Sequence, residues 1–140
     1  MSAAVPKRGR PPMTVVAAVI ERNGDILIGQ RRRDDSHAGR WEFPGGKVES
    51  HEEPRAALAR ELFEELGIQA EISDEITRYE YRYPGRPPIE LIFFRVTVFE
   101  GEPVNHVFEQ ILWESPMKFP DYEFLDGDID FVRRLARGEI

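Results

Sequence analysis

The chain contains no cysteine, which excludes thiolate nucleophiles, zinc–thiolate sites and disulfide staples. No apolar run approaches the ~18 residues that a membrane-crossing helix needs. The opening MSAAVPKRGRPP lacks the apolar stretch of a secretory signal, so a cytoplasmic protein without membrane contact is expected. Positive charge is in deficit: 26 Asp and Glu against 19 Lys and Arg leave a net charge of −7. That balance argues against a broad nucleic-acid-binding surface and suits a protein that holds divalent cations. His37, His51 and His106 show no metal-ligand spacing and read as surface residues. What is present is ordinary for a soluble globule, 41% hydrophobic and 32% charged residues over 140 positions. That length is enough for one domain with a real core, as a monomer or a homodimer.

Residues 1–12 hold proline and basic residues without periodicity and read as a flexible tail ahead of a single domain over 13–140. "TVVAAVIERNGDILIGQRR" (14–32) gives two β-branched runs around Asn23-Gly24, a hairpin signal. "RDDSHAGRWEFPGG" (33–46) reads as a loop ending in a forced turn. Pro54 suits a first helical turn and Gly67 the position just past a helix end, which predicts a helix over 54–66 with Glu53 a poor N-cap. Segments 68–84, 89–100 and 110–115 read as strands, and 128–140 as an amphipathic helix. The order predicts an α/β layered domain with mixed sheets.

The predicted helix raises a question of charge. At 100° per residue, with Glu61 at zero, Glu65 falls at about +40°, Ala57 near −40° and Glu64 near −60°. Leu58, Ala59, Leu62, Phe63 and Leu66 occupy the arc from about 60° to 200° and predict the buried face. Like charges three or four residues apart cost roughly 0.2–0.5 kcal/mol per pair, so a solvated helix gains nothing from this crowding. Hard divalent cations take oxygen ligands, and a carboxylate trio beside the unhindered backbone of Gly45-Gly46 meets that requirement.

Spacing sharpens the reading. Gly46, Glu52, Arg60, Glu61, Leu62, Glu64, Glu65, Gly67 and Ile68 stand in a register whose chance occurrence is on the order of 10⁻¹⁰. They match the Nudix box throughout, and the chain resembles the Nudix hydrolases, in particular their MutT-like branch, from about residue 14 to the C-terminal helix. The resemblance implies an α/β/α sandwich with a mixed sheet. It also implies metal-dependent hydrolysis of nucleoside diphosphates linked to another group, with Mg²⁺ as cofactor and Mn²⁺ as the alternative. It assigns Glu61, Glu64, Glu65 and the carbonyl of Gly45 to the metals. Arg60 would brace the loop–helix–loop against Glu52, with Gly46 and Gly67 shaping it, and Lys47 would lie near the substrate phosphates. In the MutT-like branch, water attacks the β-phosphorus and releases a nucleoside monophosphate and pyrophosphate.

Further candidates follow. Glu109 is the expected extra carboxylate from a loop before a late strand. Arg31, in the run Arg31-Arg32-Arg33, matches a substrate-contacting position, although a solvated loop accounts for the run equally. Trp41 and Phe43 stand beside the glycine pair, where one stacks on a base or both pack the core. Asp128 aligns with a base-contacting position at the start of the last helix, with a plain helix cap as the other reading. The leading expectation is a nucleoside triphosphate pyrophosphohydrolase, including one acting on oxidised 8-oxo-dGTP. The alternatives are a Nudix enzyme for ADP-ribose or dinucleoside polyphosphates and, more remotely, a DNA contact. The latter rests on "KRGRPP" (7–12), whose Arg-Gly-Arg-Pro core resembles an AT-hook.

Overall fold

A computed structural model describes residues 13–140; the basic Pro-rich tail and its AT-hook-like core lie outside the described residues. The strand β1 (Met13–Arg22) runs through the middle of the molecule. It pairs in parallel with β7 (Ile89–Val96) from Met13↔Ile89 to Ile20↔Val96. Its other edge is divided between two antiparallel partners. β4 (Gly45–Lys47) takes Val15 to Ala17, and β2 (Asp25–Gln30) takes Glu21 and Arg22. β6 (Glu75–Tyr81) extends the β7 side, while β3 (Trp41–Glu42) and β9 (Gln110–Glu114) flank β2.

The alternation of β1 explains the layers. Val16, Ala18 and Ile20 pack with Ala57, Leu58, Leu62 and Leu66 of helix α1 (Pro54–Leu66). Ala17 and Val19 face the opposite way, into a second core with Trp41, Phe43, Phe93, Phe119, Phe124 and Phe131. Phe131 belongs to helix α2 (Ile129–Ala136). A strand whose two faces are both covered reads as a continuous apolar run, and the result is the expected α/β/α arrangement.

The hairpin turn is as predicted, with Asn23 at φ 54° and Gly24 at φ 84°, both left-handed as the tight turn between twisted strands requires. Helix α1 has the predicted bounds, an N-cap Glu53 without a side-chain capping bond, and Gly67 at φ 72° closing it. Five expectations need correction. The single strand over 68–84 is two, β5 (Gln69–Glu71) and β6, because β5 leaves the main sheet to pair with β8 (Val98–Glu100). The run 89–100 breaks at Thr97 for the same reason. The loop 33–46 contains the short strands β3 and β4. The last helix spans 129–136, after a 3₁₀ turn at Asp126–Asp128. Phe63, expected on the buried face of α1, is 57% exposed, and Ala57 takes its place in the core.

Candidate active site

The loop–helix–loop is assembled by close approach. β4 lies so near β1 that a Cβ on Gly45 would fall 1.9 Å from the carbonyl oxygen of Val16. A Cβ on Gly46 would fall 2.5 Å from the Glu61 carboxylate. The glycine pair is therefore required twice, once by the sheet and once by the acidic side chain beneath it. The N–H of Gly45 donates to Glu65 Oε1 at 3.3 Å, which ties helix and strand at the place the wheel indicated.

Arg60 answers part of the charge question. Its Nε and Nη2 donate to the two carboxylate oxygens of Glu52 at 2.8 and 2.9 Å, and Nη2 also donates to the Lys47 carbonyl at 3.2 Å. Nη1 reaches Glu61 at 3.1 Å and Glu64 at 3.3 Å. Glu52 in turn accepts from the Glu49 N–H at 3.0 Å. One guanidinium thus closes the loop onto the helix and partly neutralises three carboxylates. Hydrogen bonding from Arg60 and from the Glu49 amide holds the Glu52 carboxyl down to about 2.

Glu65 is the exception to this neutralisation. Burial, then the nearby carboxylates of Glu61 and Glu42, push its carboxyl up to about 9. Glu61 and Glu65 face the glycine backbone together, whereas the Glu64 side chain is 55% exposed and held by Arg60. Among the described residues no three carboxylate or imidazole groups already stand in a metal-holding arrangement. The donor chemistry still fits a hard divalent cation: oxygen donors, crowded like charges that a cation would relieve, and a glycine backbone beside them.

A cavity of about 270 Å³ opens beside this corner. Gly45, Gly46, Lys47 and Glu65 line it, together with Arg31, Glu42 and Asp128. Larger concavities elsewhere, of about 430 and 570 Å³, contain none of the box residues. Arg31 is fixed for a role at the wall: its Nε donates to the Ser36 carbonyl at 2.7 Å and its Nη1 to Glu42 at 3.2 Å. Phe43 touches the cavity but packs its ring against Phe93, Phe119, Phe124 and Phe131, and Trp41 is 8% exposed. Core packing accounts for both. Glu109 is exposed and lines a separate depression with Arg32, Arg33 and Phe108, so the fold does not bring it to the cavity.

Asp128 is only 6% exposed. It makes no side-chain capping bond to α2, which corrects the helix-cap reading. Burial first, then the Glu42 charge, raise its carboxyl well above the ordinary range. Three wall residues escape sequence reading. Glu42 stands between Trp41 and Phe43, both buried in the core, so it turns the other way, toward the cavity. That lone carboxylate between two core aromatics was the available signal. His37 and Tyr83, from two loops far apart in sequence, meet at ring centroids 5.0 Å apart and also line the cavity. His37 is exposed, as expected, but not idle surface.

Fold and site together define a hydrolase built on an acidic loop–helix–loop. The chain belongs to the Nudix hydrolases: the NUDIX domain family matches residues 10–135. The CTP pyrophosphohydrolase of Escherichia coli is 43% identical over 118 residues, covering 84% of this chain and 87% of that protein. The 8-oxo-dGTP diphosphatase of Escherichia coli is 41% identical over 122 residues, covering 87% and 94%. Among solved structures, the E. coli ORF135 protein superposes with a TM-score of 0.81 at 38% identity, covering 92% of this chain and 91% of that one. The MutT Nudix hydrolase of Burkholderia pseudomallei superposes with a TM-score of 0.76 at 26% identity, covering 89% of this chain and 98% of that one. The chain is accordingly an enzyme of phosphoanhydride bonds that works with a divalent metal ion. No helix among the described residues is long and apolar enough to cross a membrane.

Proposed function

We propose that this enzyme is a MutT-type pyrophosphohydrolase of (deoxy)nucleoside triphosphates, with guanine-type (including 8-oxoguanine) or cytosine bases preferred and Mg²⁺ as its metal. The observation that carries the reading is the single cavity whose wall holds both the box corner at Glu65 and Gly45 and the buried carboxylate of Asp128. A nucleotide spanning that cavity presents its phosphates to one and its base to the other. The relatives named for CTP and 8-oxo-dGTP support both base classes.

Glu61, Glu64, Glu65 and the Gly45 carbonyl are the groups that would hold metal. A divalent ion bound there supplies charge neutralisation on the phosphate oxygens and lowers the pKa of water. Lys47 and Arg31 add positive charge at the cavity wall. Water adds to the β-phosphorus, its proton passes to a carboxylate of the cluster, and the bridging oxygen departs with the nucleoside monophosphate. Arg60, through Glu52 and the Lys47 carbonyl, keeps helix and loop in register during this step.

At the other end, hydrogen-bond donors on a base favour the ionised form of Asp128, which offers acceptors only. Guanine and 8-oxoguanine present N1–H and the 2-amino group as adjacent donors, and cytosine presents its 4-amino group. Uracil and thymine turn an acceptor to the same edge. A panel of GTP, dGTP, 8-oxo-dGTP, CTP, dCTP, UTP, dTTP and ADP-ribose with products resolved tests the reading. Monophosphate and pyrophosphate from the guanine or cytosine members support it, and preferred cleavage of ADP-ribose overturns it.

A further inference from the structure

Asp128 reaches the cavity from a backbone position that the neighbouring hairpin holds in place. Gly127, the residue before it, is pinned on both of its peptide groups. Its carbonyl accepts from the Tyr79 hydroxyl at 2.6 Å, and its N–H donates to the Tyr83 hydroxyl at 3.0 Å. Both tyrosines come from β6 and the turn that follows it. A Cβ on Gly127 would sit 2.8 Å from the Tyr83 hydroxyl, 3.2 Å from the Tyr81 ring and 3.4 Å from Leu91, so only glycine allows this approach.

The arrangement has a physical purpose. Asp128 is buried apart from what it turns to the cavity, and among the described residues no enclosed side-chain oxygen or nitrogen lacks a hydrogen-bond partner. An acid confined to so narrow an opening is poorly hydrated, and relaxation of the adjacent 3₁₀ turn at Asp126–Asp128 would carry it outward to water. Two hydroxyl bonds at Gly127 oppose that relaxation. Tyr83 also packs its ring on His37, at 5.0 Å and 43°, and both rings line the cavity. A single side chain therefore touches the mouth of the cavity and the backbone that presents Asp128.

We propose that Tyr83, with Tyr79 as its counterpart, is a positioning residue for base selection that acts by clamping Gly127 so that Asp128 stays aimed into the cavity. The proposal rests on the reading of Asp128 as the base contact. It requires no contact between either hydroxyl and the reacting phosphates.

The test compares wild type, Tyr83→Phe, Asp128→Asn and the double variant across GTP, dGTP, 8-oxo-dGTP, CTP and UTP, with Gly127 amide hydrogen exchange read in each. Tyr83→Phe keeps the ring on His37 and removes only the acceptor. It is expected to raise KM for the preferred nucleotide by about tenfold, the scale of one lost hydrogen bond, while kcat holds and UTP is unaffected. Gly127 exchange should accelerate, and in the Asp128→Asn background Tyr83→Phe should add nothing to KM. Tyr79→Phe gives the same pattern from the carbonyl side, should Tyr83→Phe fold poorly. A KM increase equal for every base, or a full Tyr83→Phe effect persisting without Asp128, overturns the proposal and leaves Tyr83 a structural residue. If Asp128→Asn alters base ranking while both tyrosine variants match wild type, the clamp is overturned and the base reading stands. If Asp128→Asn leaves the ranking unchanged, the base reading itself falls and takes the clamp with it.

Discussion

Arg60 and Glu52 form a two-point ion pair, Nε to Oε2 at 2.8 Å and Nη2 to Oε1 at 2.9 Å, that closes the glycine loop onto the acidic helix. Lysine cannot reproduce this fork. Arg60→Lys is therefore expected to lower activity by roughly 10- to 100-fold, the range for groups that orient metal ligands. Metal titrations of the variant should show weakened affinity with the fold intact by circular dichroism. Unchanged metal dependence would mean that the brace serves stability alone.

The two glycines should fail differently. Gly45→Ala drives its Cβ into the Val16 backbone, which cannot yield, and should destabilise the protein by about 1–3 kcal/mol as other overpacking changes do. Gly46→Ala meets the end of the Glu61 side chain, which can swing aside. It should keep the melting temperature and lose turnover. Thermal melts paired with initial rates check both, and equal losses in the two assays would remove the distinction.

Asp128 gives a pH signature. Its carboxyl is raised in the folded state from an ordinary value of 3.8. The unfolded chain therefore releases this proton first, and stability falls as pH rises above about 3.8 until the folded group also ionises. Asp128→Asn removes that penalty. Its melting temperature should exceed that of wild type at neutral pH, and the gain should vanish as pH falls toward 4. A gain independent of pH would show that Asp128 is not buried as an acid.

On helix α1, Leu62→Ala should cost about 2–5 kcal/mol, because Leu62 is fully buried between helix and sheet. Phe63→Ser, one position along, should stay within about 0.5 kcal/mol, since that ring lies in solvent. Denaturant melts of the two variants separate these outcomes directly.

That pair also shows where the sequence was readable. The helix bounds and the hairpin turn were legible because local chemistry decides them, with Pro54, Gly67 and Asn23-Gly24 restricting the backbone, whereas the Arg60–Glu52 brace came only from the resemblance to the Nudix box. Phe63 was misread because a helical wheel knows the angle of a side chain but not where the sheet lies. β5 and β8 were hidden inside longer apolar runs, since strand pairing is a tertiary choice. The wall residues Tyr83 and His37 depend on two loops meeting, and no local pattern announces that. Glu109 lies apart from the cavity for a related reason. The strand it precedes pairs with β2 at Gln30↔Gln110, which sets its loop beside Arg32 and Arg33.

The most direct test of the account is the rate of monophosphate and pyrophosphate release from the best nucleotide of the panel, with Mg²⁺, for wild type and Glu65→Gln. Glutamine keeps the volume and removes the charge that would hold the metal. The expected result is equimolar nucleoside monophosphate and pyrophosphate from wild type, and none in excess chelator. Glu65→Gln should lower kcat by about 10²–10⁴-fold without loss of melting temperature. Full turnover in chelator, or in the Glu61→Gln/Glu65→Gln double variant, would contradict the assignment of these carboxylates to the chemistry.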